Sequence, residues 1–329
     1  MIMKTTPIKS HPDYSIINII GAGCIGHLLA LRFLKMNPHT PLQNKTTSLL
    51  KINLYTKTAK QDCKVEYRSP TETFKRTIQY SLLNDWQPPS LVMIAIKSPN
   101  LKNLCSQLAL LNSSNSLNKA TPIVIMMNGM GLMEIVSASL PHNPIFQAVT
   151  THGARIEEKC LFHTGYGDTY IGSQQNGKNY EVQKQVCELL EKYLPIVHRS
   201  KNIEQTLWKK LLINSIINPL TTIHNIENGQ ITAYSSIKHE CYQLCLELIP
   251  FIQKLDILEE GDSLFEHVCL VVKQTKNNIS SMRQDHLKCQ LSEIDSITGY
   301  LLNEARKLYI ELPLHTEIYR KIKRLENHF

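Results

Sequence analysis

An α/β domain followed by an all-α domain is the fold class predicted by three features of this 329-residue sequence. Short β-branched or apolar runs alternate with helix-period segments through the first half, and a glycine-rich turn follows the first run. Beyond residue 200 glycine becomes rare and apolar residues recur with a period of 3.6. The length suits roughly two domains, which we place at 1–199 and 200–329, with the boundary in the Pro195 to Lys201 segment.

The elements follow in order. Ile16 to Ile20 is a β-branched strand entering Gly21-Ala22-Gly23-Cys24-Ile25-Gly26, and Ile25, Leu28, Leu29, Phe33 and Leu34 then mark one face of a helix. A polar stretch from Asn37 to Ser48 reads as a surface insertion. Lys51 to Thr56 is a second strand, Leu91 to Ile96 a third, and Ile123 to Met127 a fourth between Pro122 and Asn128-Gly129. Continuous apolar strands of this kind suit a parallel sheet covered on both faces. A helix is expected over 180–193, then others over Ile203 to Ile217, Tyr242 to Leu255, Leu264 to Val272 and Ile294 to Leu308.

The first helix of the second half carries polar residues where apolar ones belong. At 100° per residue, Lys210, Asn214 and Asn218 share an arc of about 80° among Leu207, Leu211 and Ile217, while Trp208 and Leu212 make the opposite side apolar too. A lysine buried there loses hydration, which lowers its pKa and suits it to donate a proton near neutral pH. The competing reading is a lysine that snorkels to solvent and asparagines that bond neighbouring backbone. Pro219 disfavours helical geometry at Asn218, so the helix is expected to kink or end there. Glu293 lies just before Ile294 at a helix edge beside Glu304, where an acid is ordinarily solvated.

Composition narrows the classes. Hydrophobic residues make up 42% and charged residues 19% of the chain, as in globular proteins. The longest notable apolar run, Leu91 to Ile96, is far short of a membrane span. Met1 to Ser15 lacks the apolar core of a signal peptide, so a cytoplasmic location is expected. Nine cysteines without a C-x-x-C pair argue for reduced thiols and no metal, and Cys241 and Cys245 have no second ligand pair in view. The net charge of +8 is spread along the chain, which disfavours nucleic acid and leaves an acidic surface or small anions as partners.

G-x-G-x-x-G between a strand and a helix is the fingerprint of a Rossmann-type dinucleotide-binding domain. The first glycine allows the tight turn, the second lets a pyrophosphate reach the backbone, and the third lets helix pack on strand. Which dinucleotide binds depends on the end of the second strand. An NAD site usually has an acid there for the ribose 2′-OH; Thr56-Lys57-Thr58 offers a cation and hydroxyls instead, so NADPH is favoured. Gly21 to Lys57 spans 36 residues, beyond the usual spacing of about 20, because of the insertion.

Taken together, the glycine turn, Asn128-Gly129-Met130-Gly131, Thr150 to Arg155, Trp208-Lys209-Lys210-Leu211 with Asn214 and Asn218-Pro219-Leu220-Thr221, Asn278 to Asp285, and Ser292-Glu293-Ile294-Asp295 resemble ketopantoate reductase in order and spacing. The resemblance runs from about residue 16 to about residue 315. It implies NADPH-dependent reduction of 2-dehydropantoate to (R)-pantoate, on the way to pantothenate and coenzyme A. It also implies catalytic roles for Lys210, as general acid, and for Glu293, which would bind the substrate hydroxyl. Asn214, Asn218, Ser281 and Asn128 would hold substrate, and Ser281 would take its carboxylate. Gly21, Ala22, Gly23, Cys24, Ile25, Gly26, Lys57, Lys97 and Asn128 would contact the cofactor. His152 and Arg155 read as structural supports. Ser98-Pro99 after Lys97 departs from the family's commoner segment. The partner would be a small 2-oxo acid, with no nucleic acid and no membrane, and the protein a monomer or homodimer. The alternatives are a reductase of another branched 2-oxo acid, or a non-catalytic NADPH sensor lacking the lysine or the acid.

Overall fold

A computed structural model describes residues 14–35, 50–173, 179–259 and 261–328. The Asn37 to Ser48 insertion and the first thirteen residues lie outside the described residues. Two compact units divide the chain. One takes the chain up to Ile96 with Gln107–Met126 and Ser139–Lys201; the other takes Lys97–Ser106, Met127–Ala138 and the chain from Asn202 on.

The strands of the first unit are Ile16–Ile20 (β1), Lys51–Thr56 (β2), Cys63–Arg68 (β3), Thr73–Ile78 (β4), Tyr80–Leu82 (β5), Leu91–Ile94 (β6), Ile123–Ile125 (β7), Ile145–Thr150 (β8), Gly153–Glu157 (β9), Cys160–Gly165 (β10), Asp168–Gly172 (β11) and Ile196–Arg199 (β12). The larger sheet runs β12-β11-β8-β7-β6-β1-β2-β5, parallel except where β11 meets β8. The four strands predicted from apolar runs form its centre. Ile17, Ile19, Leu91, Val92, Met93 and Ile94 have no exposed surface, as expected for strands covered on both faces. One polar pair survives in register inside β1 and β2: the Asn53 amide donates to Asn18 Oδ1 at 2.8 Å, and Asn18 donates to the Gln87 carbonyl at 2.8 Å. A second sheet, β4-β3-β10-β9, adds an element the sequence reading did not place.

On this second sheet, His163 of β10 and Tyr67 of β3 form a buried chain with His152, just before β9. Gly167 N–H donates to His152 Nδ1 at 3.0 Å, so that nitrogen carries a lone pair and the proton sits on Nε2. His163 Nε2, 3.0 Å from the same lone pair, must then be a donor, and its Nδ1 accepts the Tyr67 hydroxyl at 2.6 Å. Both rings are neutral in this arrangement. Burial is the main cause that pushes each histidine down to about 4. The unfolded chain binds protons below about pH 6.5 while the folded one does not until about pH 4, so stability falls as pH drops through that window. The expected loss is about 3 kcal/mol for either histidine alone. Urea unfolding at pH 7 and pH 4.5 measures it, and His163→Gln should flatten the dependence.

The first unit also contains the helices Cys24–Lys35 (α1) and Tyr180–Glu191 (α4), while Leu101–Ser113 (α2) begins in the second unit and Leu132–Ser139 (α3) lies almost wholly in it. The rest of the second unit is helical: Ile203–Ile223 (α5), Gln230–Ala233 (α6), Ser235–Glu247 (α7), Ile249–Leu255 (α8), Leu264–Gln274 (α9), Ser281–Leu287 (α10), Tyr300–Lys307 (α11) and Pro313–Glu326 (α12). Helix α5 is central, packed against α7, α9, α10 and α12, and every residue from Ser215 to Thr222 is buried.

Three expectations about these helices need correction. Of the kink or end expected at Asn218, the end is excluded: Pro219 lies inside α5, which continues to Ile223. Proline cannot donate to the Ser215 carbonyl, but every residue from Ser215 to Thr222 is buried, and that packing offsets the loss. The stretch from Tyr242 to Leu255 is two helices, because Pro250 starts the first turn of α8. The run from Ile294 to Leu308 opens with a π-helical turn at Asp295–Gly299 before α11. No helix among the described residues is long and apolar enough to cross a membrane.

Candidate functional site

In the first unit, the glycine turn joins β1 to α1. Gly21 has φ of +116°, and a side chain there would strike the Ala95 carbonyl. Gly26 is buried, and a methyl on it would overlap the Gly21 carbonyl oxygen. Gly23 differs from both. It is exposed, with nothing within 4 Å of where a Cβ would stand. Bare backbone thus faces open space at the start of a helix, which fits a pyrophosphate cradle. Ala22, Cys24 and Ile25 are half-buried around it. At the end of β2, Thr56 donates its hydroxyl to the Thr58 carbonyl at 2.5 Å, turning the chain, and Lys57 is exposed on that turn.

The second unit gathers the other named residues. Lys97 follows β6 and pairs with Asp285 of α10, Nζ to Oδ2 at 2.6 Å. Asn128 follows β7 and donates from Nδ2 to Glu293 Oε2 at 2.9 Å. Glu293 is only 5% exposed, so the solvated-edge reading fails. Burial raises its carboxyl above the usual range, and Lys97, the Asn128 bond and Lys210 pull it back. Lys210 is pushed down to about 8 by burial, against the attraction of Glu293. Lys210 and Asn214 are half-buried and Asn218 is buried, one turn apart along α5. Ser281 opens α10 half-buried, while its neighbour Ser280 caps the helix by accepting Arg283 N–H at 3.2 Å.

The glycines of Asn128-Gly129-Met130-Gly131 explain why this loop meets the Glu293 turn. Gly129 has φ of +96°, and a side chain there would collide with Ser296. Met130 N–H donates to the Ser296 carbonyl at 3.1 Å, and the Ser296 hydroxyl donates to Ser98 Oγ at 2.8 Å. The π turn presents Ser296 to this loop, a use of π geometry frequent at functional sites.

Sequence reading missed two parts of this cluster. Asp285 stood inside a recognised motif without a role, yet it is 5% exposed and is the partner of Lys97. Ser98, at the departure from the family pattern, meets Ser296. Only the distance along the chain hid these pairs. His152 lies elsewhere, in the histidine chain, and Arg155 stacks 4.8 Å from the centre of the Phe162 ring. Among the described residues no three metal-ligating side chains are grouped to hold an ion.

Comparison with known proteins gives a consistent picture. The family model described as ketopantoate reductase PanE/ApbA matches residues 17–176, and the one for its C terminal matches residues 202–326. The 2-dehydropantoate 2-reductase of Shigella flexneri is 32% identical over 240 residues, 73% of this chain and 75% of that one. A ternary complex of D-mandelate dehydrogenase with NADH and anilino(oxo)acetate shares the fold with a TM-score of 0.81 at 19% identity, over 95% of this chain and 99% of that one. A dimeric ketopantoate reductase from Staphylococcus aureus shares it with a TM-score of 0.75 at 19% identity, again over 95% and 99%.

Proposed function

The chain belongs to the ketopantoate reductase family, and we propose that it reduces 2-dehydropantoate to (R)-pantoate with NADPH, with Lys210 as proton donor. The observation that carries this reading is a half-buried lysine, pushed down to about 8 by desolvation, that feels the charge of the buried Glu293 carboxyl. Bound NADPH would supply a hydride to the 2-oxo carbon. Lys210 Nζ then gives a proton to the carbonyl oxygen, so the charge that develops there is neutralised as it forms. Glu293, fixed by Asn128, accepts a hydrogen bond from the substrate hydroxyl. Asn214 and Asn218 orient polar groups of the substrate, and Ser281 donates to its carboxylate. Lys97, tied to Asp285, contributes positive charge on the cofactor side. Exposed backbone at Gly23 takes the pyrophosphate, and Lys57 the 2′-phosphate.

The setting this reading expects is the cytoplasm, with the protein as a monomer or homodimer. A second substrate reading, another branched 2-oxo acid, draws support from the fold shared with D-mandelate dehydrogenase, since mandelate is a 2-hydroxy acid. A sensor without turnover is disfavoured by the presence of both Lys210 and Glu293. NADPH consumption with 2-dehydropantoate and a panel of 2-oxo acids decides among them. We expect the highest kcat/KM with 2-dehydropantoate; a better panel member would replace the substrate, and no turnover with any would remove the enzymatic reading.

A further inference from the structure

Past the end of β2, a second lysine is better held than Lys57. The ammonium of Lys60 lies 5.4 Å from the centre of the Tyr80 ring, on β5. The Tyr80 hydroxyl is 2.8 Å from His27 Nε2, and His27 Nδ1 is 2.9 Å from the Gly23 carbonyl oxygen. That carbonyl can only accept, so Nδ1 carries the proton and Nε2 receives the tyrosine hydroxyl. The loop is pinned as well, since Tyr80 N–H donates to Asp62 Oδ1 at 2.9 Å. This chain of contacts runs from the second glycine of the turn through a histidine and a tyrosine ring to an exposed cation. The charge of Lys60 is felt at His27, where it adds to burial in keeping the ring neutral.

We infer that Lys60, held over Tyr80, is a specificity-determining residue that reads the 2′-phosphate of the dinucleotide together with Lys57. The inference rests on the NADPH reading above. A 2′-phosphate carries close to two negative charges at neutral pH and three acceptor oxygens, which two lysines match better than one. The aromatic face takes one side of the Lys60 ammonium and limits its wandering, so less side-chain freedom is lost when a phosphate binds. Lys57 sits on the exposed turn with no such ring and contributes less. The ribose 2′-OH of NAD gains nothing from either cation, so the pair discriminates between the two dinucleotides.

Titration calorimetry of the whole protein with NADP+, NAD+ and adenosine 2′,5′-bisphosphate tests this without turnover. We expect Lys60→Ala to weaken NADP+ and the bisphosphate about tenfold and to leave NAD+ nearly unchanged. Lys57→Ala should lose less, and Lys60→Arg should keep the preference. If wild type prefers NADP+ and Lys60→Ala keeps that preference, or weakens both dinucleotides equally, this inference is overturned and the NADPH reading stands. If wild type binds both dinucleotides equally, the NADPH reading itself falls, and the role of Lys60 falls with it.

Discussion

Lys210→Ala lowers kcat for 2-oxo acid reduction by about 10²–10⁴-fold and leaves NADP+ affinity essentially unchanged. The wild-type pH profile carries the sign. Burial pushes Lys210 from 10.5 to about 8, so below that pH the ammonium holds the proton that the proposed mechanism requires, and above it the proton is gone. The rate constant kcat/KM for reduction is therefore level below about pH 8 and falls above it. Glu293 opposes this shift, so Glu293→Gln moves the falling limb to lower pH as well as removing the proposed acceptor for substrate. On the acid side, the raised carboxyl of Glu293 places the loss of its charge above the usual carboxylate range. A profile with no alkaline limb, or an alanine variant that keeps its kcat, would exclude Lys210 as the donor.

Two alanines in the glycine turn separate binding from folding. Gly23→Ala adds a methyl to open space, so the melting temperature stays put, but the methyl stands in the proposed path of the pyrophosphate and cofactor affinity is expected to drop at least tenfold. Gly26→Ala drives a methyl into the Gly21 carbonyl. Neither atom belongs to a flexible side chain, so the turn or the helix must shift, at about 3 kcal/mol or more, and the melting temperature falls by about 10 °C. Thermal melts and NADP+ titrations of both variants read the two effects. Undiminished NADP+ affinity in Gly23→Ala would remove the pyrophosphate role assigned to this turn.

The parts of the fold legible in the sequence were those whose signal is local. Strands β1, β2, β6 and β7 announce themselves as apolar runs because both their faces are covered, and the glycine turn because its backbone geometry admits little else. Strands β3 and β4 escaped notice. Cys63 to Arg68 alternates apolar and polar residues, and Thr73 to Ile78 has only Phe74 and Ile78 as apolar residues, a weak signal without the partner β10, almost a hundred residues from β3. In the candidate site, the stripe of Lys210, Asn214 and Asn218 could be read from helical period alone. The burial of Glu293 could not, because a wheel shows which edge a residue occupies and not what packs over it. The π turn arises from a tertiary demand, the approach of the Gly129 loop to Ser296, and leaves no periodic trace. Likewise, Pro219 reads as a breaker only while the packing that buries Ser215 to Thr222 is left out of the count.

Helix α5 carries the proposed proton donor and two proposed substrate ligands, and it is also the element on which the second unit is built. Catalytic side chains more often sit on loops that open without disturbing the scaffold. Here the proposed ones ride on a helix whose buried backbone should exchange its amides with solvent only when the whole unit opens. Loss of activity and loss of cooperative structure should therefore coincide along a denaturant axis, with no early, reversible inactivation. A mutation that loosens the packing around α5 would act on turnover through the fraction of molecules folded, leaving the rate of each folded molecule untouched.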